Sequence, residues 1–244
     1  MLKVTASAIA GATIMGPESI AGTASSEHSV PRKVLFIGGH PDDPETTSGG
    51  TMMILRNAGY EVVSVYLTKG ESGIKGKSHD EAAAIRVEEA KNACKVLGVR
   101  PVFLDQIDGY TELNAERYKE MRDFIESENP DMVFTHWPVD LHRDHRVCSN
   151  LVLEAWKRMG YKFDLYFFEA MTGGQTQLFH PTDYVDITDV AEKKLEACMC
   201  HSSQGMEGVY NGWHHQMEKF RGIEFHCKRA EAFVHLRRSG SDFI

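Results

Sequence analysis

Two short stretches of this chain concentrate the residue types that bind metal ions and move protons. The first is His40-Pro41-Asp42-Asp43. Imidazole nitrogens and carboxylate oxygens are ordinary zinc ligands, and the proline stiffens the turn by fixing its own φ. Adjacent residues on an extended loop point in different directions, so one aspartate can bind a metal while the other faces a water beside it. Taken alone, the tetrad also fits a turn with solvated carboxylates. The second stretch is Asp140-Leu141-His142-Arg143-Asp144-His145. One of its histidines would complete a three-ligand site with an open fourth position, the arrangement of catalytic rather than structural zinc. Two clusters of convergent ligands favour a metal site over two unrelated polar loops. Such a donor set suits Zn2+, and also Fe2+ or another divalent ion.

The elements around these stretches explain how they would meet. Residues 34–37 are a short apolar run closed by Gly38-Gly39, which reads as a buried parallel strand. Residues 61–67, 101–104, 132–135 and 165–169 read as further strands. Helical patterns fall at 49–58, 80–97, 115–128, 151–159 and 190–199. Residues 229–236 fit either a helix or a strand. Strands alternating with helices imply an α/β, Rossmann-like, mostly parallel sheet with helices on both faces. Ligands bind such sheets beyond the carboxyl ends of the strands. The polar segments 38–48, 69–78, 105–110 and 136–146 each follow a strand, so all four gather at one edge.

With both clusters so placed, the chain resembles the PIG-L/LmbE-like deacetylases, N-acetylglucosaminyl deacetylases that use zinc. The resemblance runs through His40-Pro41-Asp42-Asp43-Pro44-Glu45 with Gly49-Gly50-Thr51, and through Leu67-Thr68-Lys69-Gly70-Glu71-Ser72-Gly73. It continues in Arg86 with Glu89-Ala90 and Leu97-Gly98, in His142-Arg143-Asp144-His145, and in Asp186-Ile187-Thr188 with Lys193-Lys194. It closes in His201-Ser202-Ser203-Gln204, Arg221-Gly222 and Ala230-Glu231-Ala232-Phe233, so it spans about residues 33–233. The resemblance implies an LmbE-like fold. It implies His40, Asp43 and His145 as metal ligands and Asp42 as general base. His142 would polarise or protonate the reacting amide, and Asp144 would orient a histidine. The family often sets a tyrosine just before the third motif to bind the oxyanion. Here Pro138, Val139, Asp140 and Leu141 stand there, which leaves a second oxyanion donor open. Asp140 reads as a further ligand, a substrate contact or a loop carboxylate.

The implied reaction removes the acetyl group from an N-acetylated amino sugar, and the residue types suit it. Zinc lowers the pKa of water to about 7 and polarises a carbonyl, and a positioned acid–base group adds roughly 10²–10⁴-fold. Glu71, Arg86 and Asp108 offer acceptors and donors for sugar hydroxyls. Against that, Arg86 also fits an ion pair with Glu89 in its own helix, and the two carboxylates also fit polar loops. His136 would line the site, His201 reads as structural, and Trp213-His214-His215 fits a surface turn or a sugar-stacking wall. A neighbouring reading keeps the metal and cleaves another amide, such as a thiol–amino-sugar conjugate. A nucleotide-binding reading is poorer, because the glycines after the first strand do not spell G-x-G-x-x-G. A metal-binding protein without catalysis would have no use for a second aspartate beside the ligand.

Composition sets the outer bounds. The 244 residues are 42% hydrophobic and 25% charged, ordinary for one globular domain. The net charge of -8 argues against a nucleic-acid partner. No stretch is long and apolar enough for a stable membrane span; a homo-oligomer is left open. The five cysteines fit neither a zinc ribbon nor a disulfide framework and read as buried free thiols. Residues 1–30 resemble a leader, with small residues where a signal peptidase cuts and an end like that of a truncated twin-arginine signal. The expected layout is therefore a leader at 1–30, export to the periplasm or beyond with the cytoplasm as the alternative, and a single deacetylase domain at 31–244.

Overall fold

A computed structural model describes residues 32–237; the expected leader lies outside them. The apolar run at 34–37 forms β1 (Lys33–Gly38), followed by β2 (Glu61–Thr68), β3 (Arg100–Gln106), β4 (Met132–His136), β5 (Asp164–Phe168), β6 (Asp183–Asp186) and β7 (Ala230–Leu236). They make one seven-stranded sheet in the order β3-β2-β1-β4-β5-β7-β6. The first five of these run parallel to one another. β7 runs antiparallel to both β5 and β6. The sheet is thus mostly parallel, as expected, with an antiparallel edge.

Helices cover both faces. One face packs Leu35, Ile37, Val63 and Leu165 beneath α3 (Ala115–Glu128) and α4 (Arg143–Arg158). The other packs Val34, Phe36, Phe134 and Phe233 beneath α1 (Asp43–Asn57), α2 (His79–Leu97) and α5 (Ala191–Met199). Burial on both sides explains why β1 is a continuous apolar run rather than an alternating one. Ser78 and Glu81 close a capping box at the start of α2, and Gly98 ends that helix in the left-handed region. α1 lies close to the chain beyond β6: a Cβ on Gly50 would come within 2.5 Å of Ile187 Cγ2.

Two helices begin earlier than the pattern suggested. α1 starts at Asp43 rather than at residue 49, with Pro44 in its first turn, where proline is well tolerated. α4 starts at Arg143 rather than at residue 151, because the His142 ring accepts the Asp144 N–H and caps it. The second motif therefore rides on a helix N-terminus instead of a free loop. Residues 229–236 resolve as a strand. The segment beyond α5 was not foreseen: a short 3₁₀ turn (Ser202–Gln204), α6 (Met206–Val209), a π-helical turn (Tyr210–His214) and α7 (His215–Phe225). All five cysteines are unpaired; Cys94, Cys148 and Cys198 are buried, while Cys200 and Cys227 are half-buried.

Candidate active site

In strand order β1 stands between β2 and β4, so the chain turns back on itself at the β1/β4 boundary. That switch point opens a crevice at the carboxyl ends of the strands. Both motifs lie there. His40 to Asp43 link β1 to α1, and His142 to His145 cap and open α4 after β4. Gly38 allows the first link to be tight: a Cβ there would sit 2.8 Å from Asp43 Cβ and 2.7 Å from Pro44 Cδ.

Asp43 is the centre of the cluster. One carboxylate oxygen lies 3.3 Å from His40 Nδ1 and the other 3.3 Å from His145 Nε2. Each ring has its far nitrogen held by another carboxylate. His40 Nε2 is 3.2 Å from both Asp108 and Asp144. His145 Nδ1 is 3.3 Å from Asp140. Metal-binding histidines are typically oriented in this way, through the nitrogen that does not bind. Ligands about 2.1 Å from a tetrahedral ion lie about 3.4 Å apart, and Asp43 meets each ring at about that spacing through a different oxygen. Three overlapping sets, His40 with His142 and His145, Asp43 with His136 and His145, and His40 with Asp108 and Asp144, each bring their donor atoms within 4.8 Å of one another. The charge suits a cation too. Burial works against charging either ring, yet the surrounding carboxylates raise His40 and raise His145 to about 9. A divalent ion would answer the same excess of negative charge. The residues present therefore fit a metal.

Asp42 is built differently from its neighbour. Its φ is 119°, a strained value for a side chain of this kind. Arg86 holds it there: Nη2 pairs with the Asp42 carboxylate at 3.0 Å and donates to the Pro41 carbonyl. The Thr46 N–H and hydroxyl both donate to the Asp42 carbonyl, at 2.9 and 2.8 Å. Burial raises the Asp42 carboxyl above the usual range, against the pull of Arg86. His142 Nδ1 accepts the Asp144 N–H at 3.3 Å. Burial, then the charges of His145 and His40, lower this ring, so the neutral form carries its proton on Nε2.

The expected residues separate into two sets. His40, Asp42, Asp43, Arg86, Asp108, His142 and His145 line one cavity of about 300 Å³. Glu71 is not among them: its carboxylate accepts the N–H groups of Lys69 and Asp108 and ties two loops together. Asp108 reaches the cavity, but its carboxylate is taken by His40 and by the Ser72 N–H. Asp144 is fully buried, held well below the usual range by His40, Thr111 Oγ1 and the Gly109 N–H despite its burial. It orients His40. Asp140 resolves as a support for His145, fixed by Thr176 Oγ1 at 2.9 Å. Arg86 pairs with Asp42 rather than with Glu89, which instead accepts from Ser202 and Ser203.

Two histidines matter more than their sequence context suggested. His136 accepts the Gly39 N–H at 3.0 Å, lies 3.2 Å from Asp43 and stacks on His145 at 3.8 Å. His214 lines the cavity from the π-helical turn. Its neighbour Trp213 is exposed and lies against Gly174, so of this stretch only His214 lines the cavity. His201 is buried 3.5 Å from Glu45, in keeping with a structural role.

The family described as "PIG-L: GlcNAc-PI de-N-acetylase" matches residues 35–156, which include both motifs. A diacetylchitobiose deacetylase of Thermococcus kodakarensis is 34% identical over 198 residues, 75% of this chain and 73% of its own. This chain belongs to the PIG-L family. It is also similar to a probable N-acetyl-alpha-D-glucosaminyl L-malate deacetylase 2 of Bacillus cereus, 28% identical over 71% of this chain and 84% of that one. The solved N,N'-diacetylchitobiose deacetylase from Pyrococcus horikoshii has the same fold, with a TM-score of 0.75 at 26% identity over 87% of this chain and 89% of that one. The LmbE-like fold implied by the motifs is the fold found.

Proposed function

We propose that this chain hydrolyses the N-acetyl amide of an N-acetylglucosamine-type sugar with a zinc ion held by His40, Asp43 and His145, releasing acetate and a free amine. The PIG-L membership makes it a deacetylating hydrolase, and its relatives act on amino sugars. The observation that carries the residue roles is Asp42. It lines the cavity beside the three ligands yet binds none of them, and its carboxylate is pinned by Arg86.

Zinc would supply Lewis acidity, lowering the pKa of water to about 7 and polarising an amide oxygen. Asp42 takes a proton from the attacking water at a carboxylate oxygen; its raised pKa brings it nearer the pH at which it must work. It then returns that proton to the departing amine. His142, with Nδ1 occupied by the Asp144 N–H, directs an Nε2–H into the cavity, where it donates to the acetamide oxygen as negative charge grows there. Asp144, Asp108 and Asp140 keep the ligand rings from turning.

Acetate release from a panel of N-acetylglucosamine conjugates tests the proposal, using metal-loaded protein, chelated protein and Asp42→Ala. The expected result is release only with metal, and a loss of roughly 10²–10⁴-fold in the variant. Stoichiometric metal binding with no acetate from any N-acetyl sugar would overturn the substrate and leave other amides.

A further inference from the structure

The cavity has two imidazoles that the ligand set does not use, and only one of them comes from a sequence motif. His142 is the first. The second is His214, which reaches the cavity from the π-helical turn. Its position is specified by the turn. The His215 N–H bonds back to the Tyr210 carbonyl, five residues earlier, which widens the helix by one residue. Within the turn Tyr210 and His214 face inward, while Asn211, Gly212 and Trp213 stay exposed. Tyr210 is anchored by donating to Glu218 at 2.8 Å. Such single π turns often occur at functional sites.

His214 is 6% exposed, yet among the described residues it makes no hydrogen bond or ion pair. Buried polar groups are nearly always satisfied. Several polar groups of the cavity wall are already engaged: both nitrogens of His40 and of His145 face carboxylates, Arg86 Nη2 is held by Asp42, and Thr46 donates to a carbonyl. His214 borders this cavity and also a smaller one of about 20 Å³ beside Lys194 and Glu218; an imidazole with spare bonding capacity on the wall of the larger cavity is open to a hydrogen bond with what enters it. Burial first, and the Lys194 charge second, lower the ring to about 4, so it is neutral at ordinary pH. A neutral imidazole donates one N–H without introducing a charge that would compete for the carboxylates around it. Ala170, Met171, Met206 and Val209 line the same cavity and offer apolar surface for an acetyl methyl.

Resting on the deacetylase reading, we propose that His214 is a catalytic residue that donates a hydrogen bond to the acetamide oxygen alongside His142, strengthening as that oxygen becomes an oxyanion. Charge develops on the oxygen only in the transition state, so the contact acts on kcat more than on KM.

The test is steady-state acetate release by zinc-loaded full-length protein carrying His214→Ala, His214→Gln or His214→Leu, with bound zinc and melting temperature measured for each. The expected result is a roughly 10²-fold fall in kcat for Ala and Leu, little change in KM, unchanged zinc, and partial recovery in Gln, which restores an N–H donor. If Ala does not fold, the comparison of Gln with Leu carries the test. Equal kcat in Gln, Leu and wild type would overturn the role. So would a raised KM at constant kcat, which marks a ground-state sugar contact. A wild type that releases acetate from no N-acetyl sugar overturns the deacetylase reading itself and this role with it; an active wild type with unaffected variants overturns this role alone.

Discussion

At the scale of single residues, the site divides labour among carboxylates of one chemical type. Asp43 faces three imidazoles and Asp42 faces an arginine, although they are adjacent in sequence. Under the proposed ligand set, Asp108, Asp140 and Asp144 act from outside, because each holds a nitrogen of His40 or His145 that faces away from Asp43. Outer partners of this kind typically change metal affinity by 10–100-fold. Asp140→Asn is therefore expected to weaken zinc binding by about that factor while leaving the sheet intact, measured by competition with a chromophoric chelator. Unchanged affinity would mean that His145 is oriented by packing alone. These roles were only partly readable from the residue types. The proposed ligands His40, Asp43 and His145 stand out because they lie in two clusters of His and Asp. Which neighbouring aspartate supports which ring depends on loops that are far apart in sequence, as Asp108 and His40 are. Glu71 and Asp108 looked alike for the same reason, and only the fold shows that one of them bonds backbone N–H groups away from the cavity.

At the scale of elements, the catalytic geometry depends on where strands stop and helices start. The link from β1 to α1 is so short that Gly38 has no room for a side chain beside Asp43 and Pro44. Gly38→Ala is expected to push the start of α1 off the strand, destabilising the protein by about 1–3 kcal/mol. Zinc affinity should fall with it, because the residue displaced, Asp43, is a proposed ligand. Urea unfolding and zinc titration of the variant measure the two effects; a variant with normal zinc affinity would show that the link can relax elsewhere. The strands of the parallel half were legible because burial on both faces leaves unbroken apolar runs. Helix starts were less so. Asp43 and Arg143 open helices inside polar motifs, and nothing in hydrophobic periodicity marks a turn whose cap is a histidine. The π-helical turn was the hardest to foresee, since its extra residue breaks the very spacing on which a helical pattern is read. That is why His214 looked like part of a surface turn.

At the scale of the whole molecule, the metal is expected to act on stability as well as on chemistry. A ligand that binds only the folded state stabilises it by RT ln(1 + [L]/Kd), about 2.7 kcal/mol at 100 times Kd. Removing zinc with a chelator should therefore lower the melting temperature, and readdition should restore it; a melting curve indifferent to zinc would rule out binding at His40, Asp43 and His145. The two ends of the described chain are also joined. Glu231 on β7 accepts the Gly50 and Thr51 N–H groups of α1 at 2.9 and 2.8 Å, and Lys194 of α5 meets the same carboxylate at 2.8 Å. β7 is inserted between β5 and β6 although it is last in sequence. The order of synthesis is thus not the order of the sheet. A nascent chain that has already made both ligand motifs still lacks the strand that joins its edge, and α1, which begins with Asp43, still lacks its anchor. Stable capture of the proposed metal is therefore expected to wait until β7 has been made and has slipped between β5 and β6.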